Sequence, residues 1–192
     1  MTKAELRKIY LAKRKDLAAE DRSEKSARIA KNFFESFDLS PVRFLHCFIP
    51  IQKFNEIDTM PVFRRLWSDF PHVRTLVPRV NFETGNMEGI AFASGIELVQ
   101  NEWGIREPEG GELLDEKIVD LVIIPGICFD KHFHRVGYGK GIYDRFLSRC
   151  RPDCVKIGVS FFEPENAIMD VHEGDVQVDF CITPERLYTR GG

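Results

Sequence analysis

The chain has 192 residues, enough for one substantial core, and nothing along it reads as a linker, so a single domain over 1–192 is expected. Hydrophobic residues at 43% and charged residues at 30% make an ordinary globular mix, with sixteen phenylalanines to fill a core. A formal charge of −3 argues against a nucleic-acid binder, and no apolar run approaches the roughly 20 residues of a membrane span, so we expect a cytoplasmic protein without a membrane partner; a monomer is the accompanying expectation.

Thr2 and Glu5 stand three apart ahead of Leu6, Ile9 and Tyr10, which predicts a capping box and an amphipathic helix to about Leu17. Asp21 and Glu24 repeat the signal, and Ala27, Ala30, Phe33, Phe34 and Phe37 continue a second helix. "FLHCFI" (44–49) predicts a buried strand, and Thr59 with Pro61 opens a helix through "MPVFRRLWSDF". "VRTLVPRV" (73–80) reads as a strand, "NFETGNMEGIAF" as a turn with a short β segment, and "NEWGIREPEGGE" (101–112) as a long loop. "VDLVIIP" (119–125) is continuously apolar, as a central parallel strand should be. A helix is predicted from near Gly139, followed by strands in "VKIGVSF" (155–161) and "VQVDFCIT" (176–183). Strands alternating with helices give an α/β fold class: a three-layer α/β/α arrangement, Rossmann-like, with a mostly parallel central sheet.

The chemistry concentrates in "FDKHFHRVGYGKGIYDRFL" (129–147), which should lie outside the carboxyl end of the central strand, where open sheets gather ligands. Gly137, Gly139 and Gly141 remove Cβ atoms so that backbone N–H groups can approach an anion, and Lys140 adds a mobile charge; phosphate is the natural guest. The spacing is neither a Walker A loop, since Gly141 follows Lys140, nor a dinucleotide fingerprint, since Ile142 stands where a glycine would be needed. Without a ligand the same glycines would simply make a tight strand-to-helix turn. Asp144, just beyond the loop, is suited to Mg²⁺ shared with nucleotide phosphates, and Asp179 supplies a possible second carboxylate. Cys47, Cys128, Cys150, Cys154 and Cys181 are odd in number and scattered, so they read as free thiols; "CRPDC" with His132 and His134 lacks the second pair a zinc finger needs.

"KAELR", "NEIDT", "VPRV", "WGIREP", "PGICFDKHFHRVGYGKGIYDRFL" and "VDFCITP" occur in this order along the chain. Together they resemble the 5-formyltetrahydrofolate cyclo-ligase family. The resemblance implies an ATP- and Mg²⁺-dependent closure of a reduced folate to its 5,10-methenyl form through an N5-iminium phosphate. It assigns ATP contacts to Lys3, Arg7, Arg135, Gly137, Tyr138, Gly139, Lys140, Gly141, Ile142 and Tyr143, with Lys140 and Arg135 in catalytic roles. It places Glu56, Trp103 and the segment Tyr138, Gly139, Lys140, Gly141 and Ile142 against the folate, and assigns the metal to Asp144 and Asp179. Arg79 and Arg106 rank lower, as contacts to phosphate or the glutamate tail and as a surface ion-pair former, respectively. Two departures stand out: Phe133 replaces an expected glycine, and Ile142 an expected tyrosine. The competing readings are a folate- or nucleotide-binding protein without turnover and a sugar-phosphate isomerase-like enzyme on a similar fold, which would need no ATP.

Overall fold

The computed structural model describes residues 1–81, 83–101 and 104–190. Helix α1 (Lys3–Asp16) opens with the predicted capping box: Thr2 accepts from the Glu5 N–H, and the Glu5 carboxylate takes the Thr2 N–H at 2.8 Å. Helix α2 (Ala19–Ser36) starts from Ala18, three residues ahead of the predicted Asp21 cap. Asp21 instead sits in the first turn, where a carboxylate meets the positive helix end. Strand β1 (Phe44–Cys47) is shorter than expected, and α3 (Met60–Asp69) carries its proline in the first turn.

Strands β2 (Arg74–Asn81) and β3 (Asn86–Ala91) form a hairpin. The expected loop 101–112 contains a strand, β5 (Arg106–Pro108), paired antiparallel with β4 (Leu98–Gln100). A three-residue strand that ends on a proline has too little periodicity to show in sequence. Strands β6 (Leu113–Leu114) and β7 (Leu121–Pro125) follow, then a small hairpin of β8 (Cys128–Phe129) and β9 (Arg135–Val136). Helix α4 (Ile142–Arg149) begins three residues later than predicted because Gly141, at φ +62°, is its N-cap and the glycines belong to the loop. Strands β10 (Val155–Val159), β11 (Phe180–Ile182) and β12 (Leu187–Thr189) complete the chain.

Among the described residues the main sheet has the order β12-β11-β10-β7-β1-β2-β3-β6. Strands β11, β10, β7, β1 and β2 are mutually parallel, and the edges are closed by antiparallel partners. Alternate residues serve opposite faces. Leu45, Cys47, Ile123 and Ile157 pack with Ile29 and Phe33 of α2 and Phe63 and Leu66 of α3. Val122 and Ile124 face Phe146 and Leu147 of α4 on the other side, which gives the expected three layers. Helix α1 makes a third cluster, with Leu6 and Tyr10 on Ile127, Cys128, Val136 and Ile168. From β1 the chain proceeds through α3 to β2, and from β7 through α4 to β10, on opposite sides of the β1/β7 pair. A crevice therefore opens beyond the carboxyl ends of β1 and β7.

Two core features have measurable consequences. The fully buried Phe129 ring occupies the space beside two glycines: a Cβ at Gly126 or Gly158 would lie 2.1 or 2.3 Å from it. Gly158→Ala should destabilise the fold by about 1–3 kcal/mol through overpacking, read as a lower urea midpoint with an unchanged slope. His46, on β1, is fully buried against the Tyr143 and Phe146 rings, and neither ring nitrogen has a partner among the described residues. Burial pushes its pKa down from 6.5 to about 3, so it is neutral when folded but protonates in the unfolded chain. Its contribution is therefore complete above pH 6.5 and is lost as pH falls from there towards 3. His46→Leu should make the stability curve shallower in acid, by up to about 1.4 kcal/mol per pH unit below pH 6.

Candidate functional site

The crevice is walled by the segment after β7, the turn after β1 and the face of α1. Gly139 (φ +92°) and Gly141 (φ +62°) both take left-handed backbone, so the loop needs glycine there for conformation as well as space. Arg7 Nε donates to the Gly137 carbonyl at 2.7 Å, and its guanidinium lies 3.3 Å from where a Gly139 Cβ would stand. Arg145 holds the other side, donating to the carbonyls of Lys140 at 3.0 Å and Gly85 at 2.9 Å. The N–H groups of Gly137, Tyr138, Gly139 and Gly141 meet no protein acceptor among the described residues. Backbone donors without acceptors, next to arginines and the exposed Lys140, make an anion cradle.

Arg135 reaches this loop from below. Its side chain is 7% exposed, Nη2 donates to Asp144 Oδ1 at 3.0 Å, and the guanidinium lies 5.5 Å from the centre of the Tyr143 ring. Arg135 Nε and the Tyr143 hydroxyl are buried without partners among the described residues. Burial, first of all, raises the Tyr143 pKa well above its usual value, so the hydroxyl stays protonated. Ile142 opens α4 and turns towards the α4-side core.

Both contacts to Asp144 fall on Oδ1, the second being the Val176 N–H at 3.2 Å. Asp179 is placed elsewhere: its carboxylate takes the Lys156 N–H at 2.8 Å and lies 3.8 Å from Lys156 Nζ, pinning the start of β11 to β10. The two aspartates thus bond to different elements, and the described residues contain no group of three His, Cys, Asp or Glu arranged for a metal. His134 faces Asp130 at 3.3 Å and bonds Gln177. Lys3 shares the α1 face with Arg7, as four-residue spacing predicts, but its ammonium pairs with Asp175 and its N–H with Asp170 at 2.6 Å. Burial raises the Asp175 carboxyl, yet the bonds from Lys3 and the His172 N–H outweigh it and hold the pKa below the usual value.

On the β1 side, Glu56 closes the crevice. Oε2 accepts from the Ile51 N–H and Oε1 from the Tyr138 hydroxyl, each at 2.7 Å, and the Phe54 ring lies 5.0 Å from that of Tyr138. Burial raises the Glu56 pKa, opposed by those two bonds and by nearby Arg14. A neighbouring cleft of about 330 Å³ is lined by Gln52, Lys53, Leu98, Gln100, Gly104 and Arg106. Trp103, expected against the folate, lies outside the described residues. Arg79 pairs with Glu88 at 3.5 Å.

Phe133 explains one departure noted in the sequence. Its φ is +66°, a conformation that glycine adopts freely, and the ring is buried at 8% exposure. Packing against the α4-side core offsets that backbone strain. Sequence reasoning missed Arg14 and Arg145. Arg14 was visible in principle: Leu6, Tyr10 and Arg14 repeat every four residues, which puts an arginine on the buried stripe of α1. Arg145 carries no such signal, because its acceptors Lys140 and Gly85 are loop carbonyls joined only by folding.

Comparison with known proteins agrees with this geometry. The model of the 5-formyltetrahydrofolate cyclo-ligase family matches residues 1–184. A mouse 5-formyltetrahydrofolate cyclo-ligase is 26% identical over 174 residues, 85% of this chain and 84% of that protein. The Mycoplasma pneumoniae protein of the same name is 27% identical, covering 96% of this chain and all of its own. The NMR structure of the Aquifex aeolicus 5,10-methenyltetrahydrofolate synthetase superposes with a TM-score of 0.77 at 28% identity, covering all of this chain and 94% of that one. The match spans both walls of the crevice and the glycine loop between them, and the chain belongs to the 5-formyltetrahydrofolate cyclo-ligase family.

Proposed function

We propose that this protein closes 5-formyltetrahydrofolate to 5,10-methenyltetrahydrofolate at the expense of ATP. The observation that carries the reading is the Tyr138 to Glu56 bond, 2.7 Å long, which brings a carboxylate acceptor and an anion cradle to the same crevice. A Glu56 carboxylate would suit the amino and ring N–H donors of a pterin. The N–H groups of Gly137, Tyr138, Gly139 and Gly141, without acceptors among the described residues, suit a triphosphate together with Arg7 and Arg135, and the first turn of α4 at Ile142 and Tyr143 borders it. Lys3 would join them only by leaving Asp175.

In this arrangement the formyl oxygen attacks the γ-phosphorus, ADP departs, and the N5-iminium phosphate is attacked at carbon by N10; loss of the N10 proton and of phosphate leaves the methenyl bridge. No protein nucleophile is required. The residues hold two substrates in line and neutralise the phosphoryl oxygens, with Lys140 able to follow the γ-phosphate from an exposed loop position. A magnesium ion fits one protein ligand here, Asp144, whose Oδ2 is not used by Arg135 or Val176. Mg²⁺ is commonly held by one or two carboxylates plus phosphates and would reduce the charge on the triphosphate. Asp179 would join Asp144 only by leaving Lys156.

The direct test is near-ultraviolet absorbance of 5-formyltetrahydrofolate with protein and Mg-ATP, since ring closure creates a conjugated amidine chromophore. An ATP-dependent band is the expected outcome; a flat trace from folded protein would reduce the reading to binding alone. Lys140→Met should lower kcat by about 10²–10³-fold while leaving the thermal midpoint unchanged, and wild-type kcat in that variant would remove Lys140 from the chemistry.

A further inference from the structure

Arg14 occupies a position where α1 would be better served by an apolar side chain. It is 4% exposed, on the stripe with Leu6 and Tyr10, and no carboxylate pairs with it among the described residues. Its hydrogen bonds go to neutral acceptors: Nη2 to the Gly126 carbonyl at 2.8 Å and Nη1 to the Tyr138 hydroxyl at 3.1 Å, while Nε has no partner among the described residues. Packing alone does not account for a buried cation so arranged, because desolvating a guanidinium is costly without an anion in contact.

The bonds form a chain. Arg14 donates to the Tyr138 oxygen, which fixes the one hydroxyl proton towards Glu56, and Glu56 is tied in turn to the Ile51 N–H. The end of β7, the glycine loop and the turn after β1 are thus joined through one side chain. We infer that Arg14 is a positioning residue that couples the folate acceptor Glu56 to the phosphate loop, acting through the Tyr138 hydroxyl; this rests on the reaction proposed above. Pterin donors arriving at Glu56 compete with Tyr138 for Oε1. Releasing Tyr138 shifts the loop between Gly137 and Gly139, so each substrate alters the affinity of the other, and by the same factor in both directions.

Among the described residues, the groups facing Glu56 are Arg14 from α1, the Tyr138 hydroxyl from the loop, the Tyr143 hydroxyl from α4 and the Ile51 N–H on its own turn. Both tyrosines are held protonated, foremost by burial, which leaves Arg14 as the cation favouring ionised Glu56. Removing that charge moves the Glu56 pKa upward, and folate binding is then lost at a higher pH on the acid side.

The test is steady-state kinetics across pH for the wild type, Arg14→Met, Arg14→Lys, Tyr138→Phe and the Arg14→Met/Tyr138→Phe double variant, alongside calorimetric folate binding with and without a non-hydrolysable ATP analogue. Arg14→Met should raise the folate KM at least tenfold with a smaller change in kcat, move the acid limb of kcat/KM to higher pH, and abolish the effect of the analogue on folate affinity. Arg14→Lys, which keeps the charge and loses the fork, should restore the acid limb but not the KM. The double variant should be no worse than Arg14→Met alone. A folded Arg14→Met with wild-type KM and an unmoved acid limb, or additive losses in the double variant, would overturn the inference. If Arg14→Met does not fold, unchanged folate affinity in both Arg14→Lys and Tyr138→Phe overturns it. Absence of ring closure by the wild type would count against the proposed reaction, while the effect of the analogue on folate binding still reads the coupling.

Discussion

The molecule is organised by the divergence of two neighbouring parallel strands. β1 and β7 are hydrogen-bonded side by side, Leu45 opposite Leu121 and Cys47 opposite Ile123, yet the chain leaves them towards opposite edges of the sheet and through helices on opposite faces. Right-handed crossovers permit no helix to cover the gap between them. The turn carrying Glu56 and the segment from Gly126 to Gly141 are consequently forced to the same place, although they are far apart in sequence. The contact from Tyr138 to Glu56 depends on that one topological fact.

Into this gap the protein places arginines from three directions. Arg7 and Arg14 come from α1, Arg135 from β9 and Arg145 from α4, and their acceptors are mostly backbone carbonyls and a tyrosine hydroxyl, with Asp144 the exception. Guanidinium groups hold their charge at any accessible pH and present several donors in a rigid plane. They can therefore brace the loop carbonyls while remaining attractive to an anion. Among the described residues, the Nε atoms of Arg14 and Arg135 and the N–H groups of Gly137, Tyr138, Gly139 and Gly141 have no acceptor, so the site holds more donors than those residues satisfy. Such an excess of preorganised donors is what a polyanionic substrate requires.

Much of this was legible in the chain. The capping box of α1, the apolar run of β7 and the helix start at Pro61 rest on local rules, and each appears within a few residues of its expected position. The glycine segment and Lys140 were likewise visible, because close backbone approach and positive φ demand particular residue types. The start of α4 was misplaced because Gly141, rather than Gly139, provides the left-handed cap, and sequence does not distinguish two glycines two residues apart. The β4/β5 hairpin escaped notice because its strands are three residues long. Asp144 and Asp179 were grouped on carboxylate chemistry and on the family resemblance, and neither could show that the Asp179 carboxylate takes the Lys156 N–H.

The sequence by itself determined the layer architecture, the family motifs and the inventory of charges, since these follow from hydrophobic period, capping chemistry and residue type over short spans. Tertiary structure alone decided which charges meet. The pairing of Lys3 with Asp175, of Arg135 with Asp144, and the run from Arg14 through Tyr138 to Glu56 join residues 172, 9, 124 and 82 positions apart. No local pattern encodes such distances. They are fixed by the register of the parallel strands and by the packing of α1 over the β8/β9 hairpin, which set the separations at which a hydrogen bond either forms or does not.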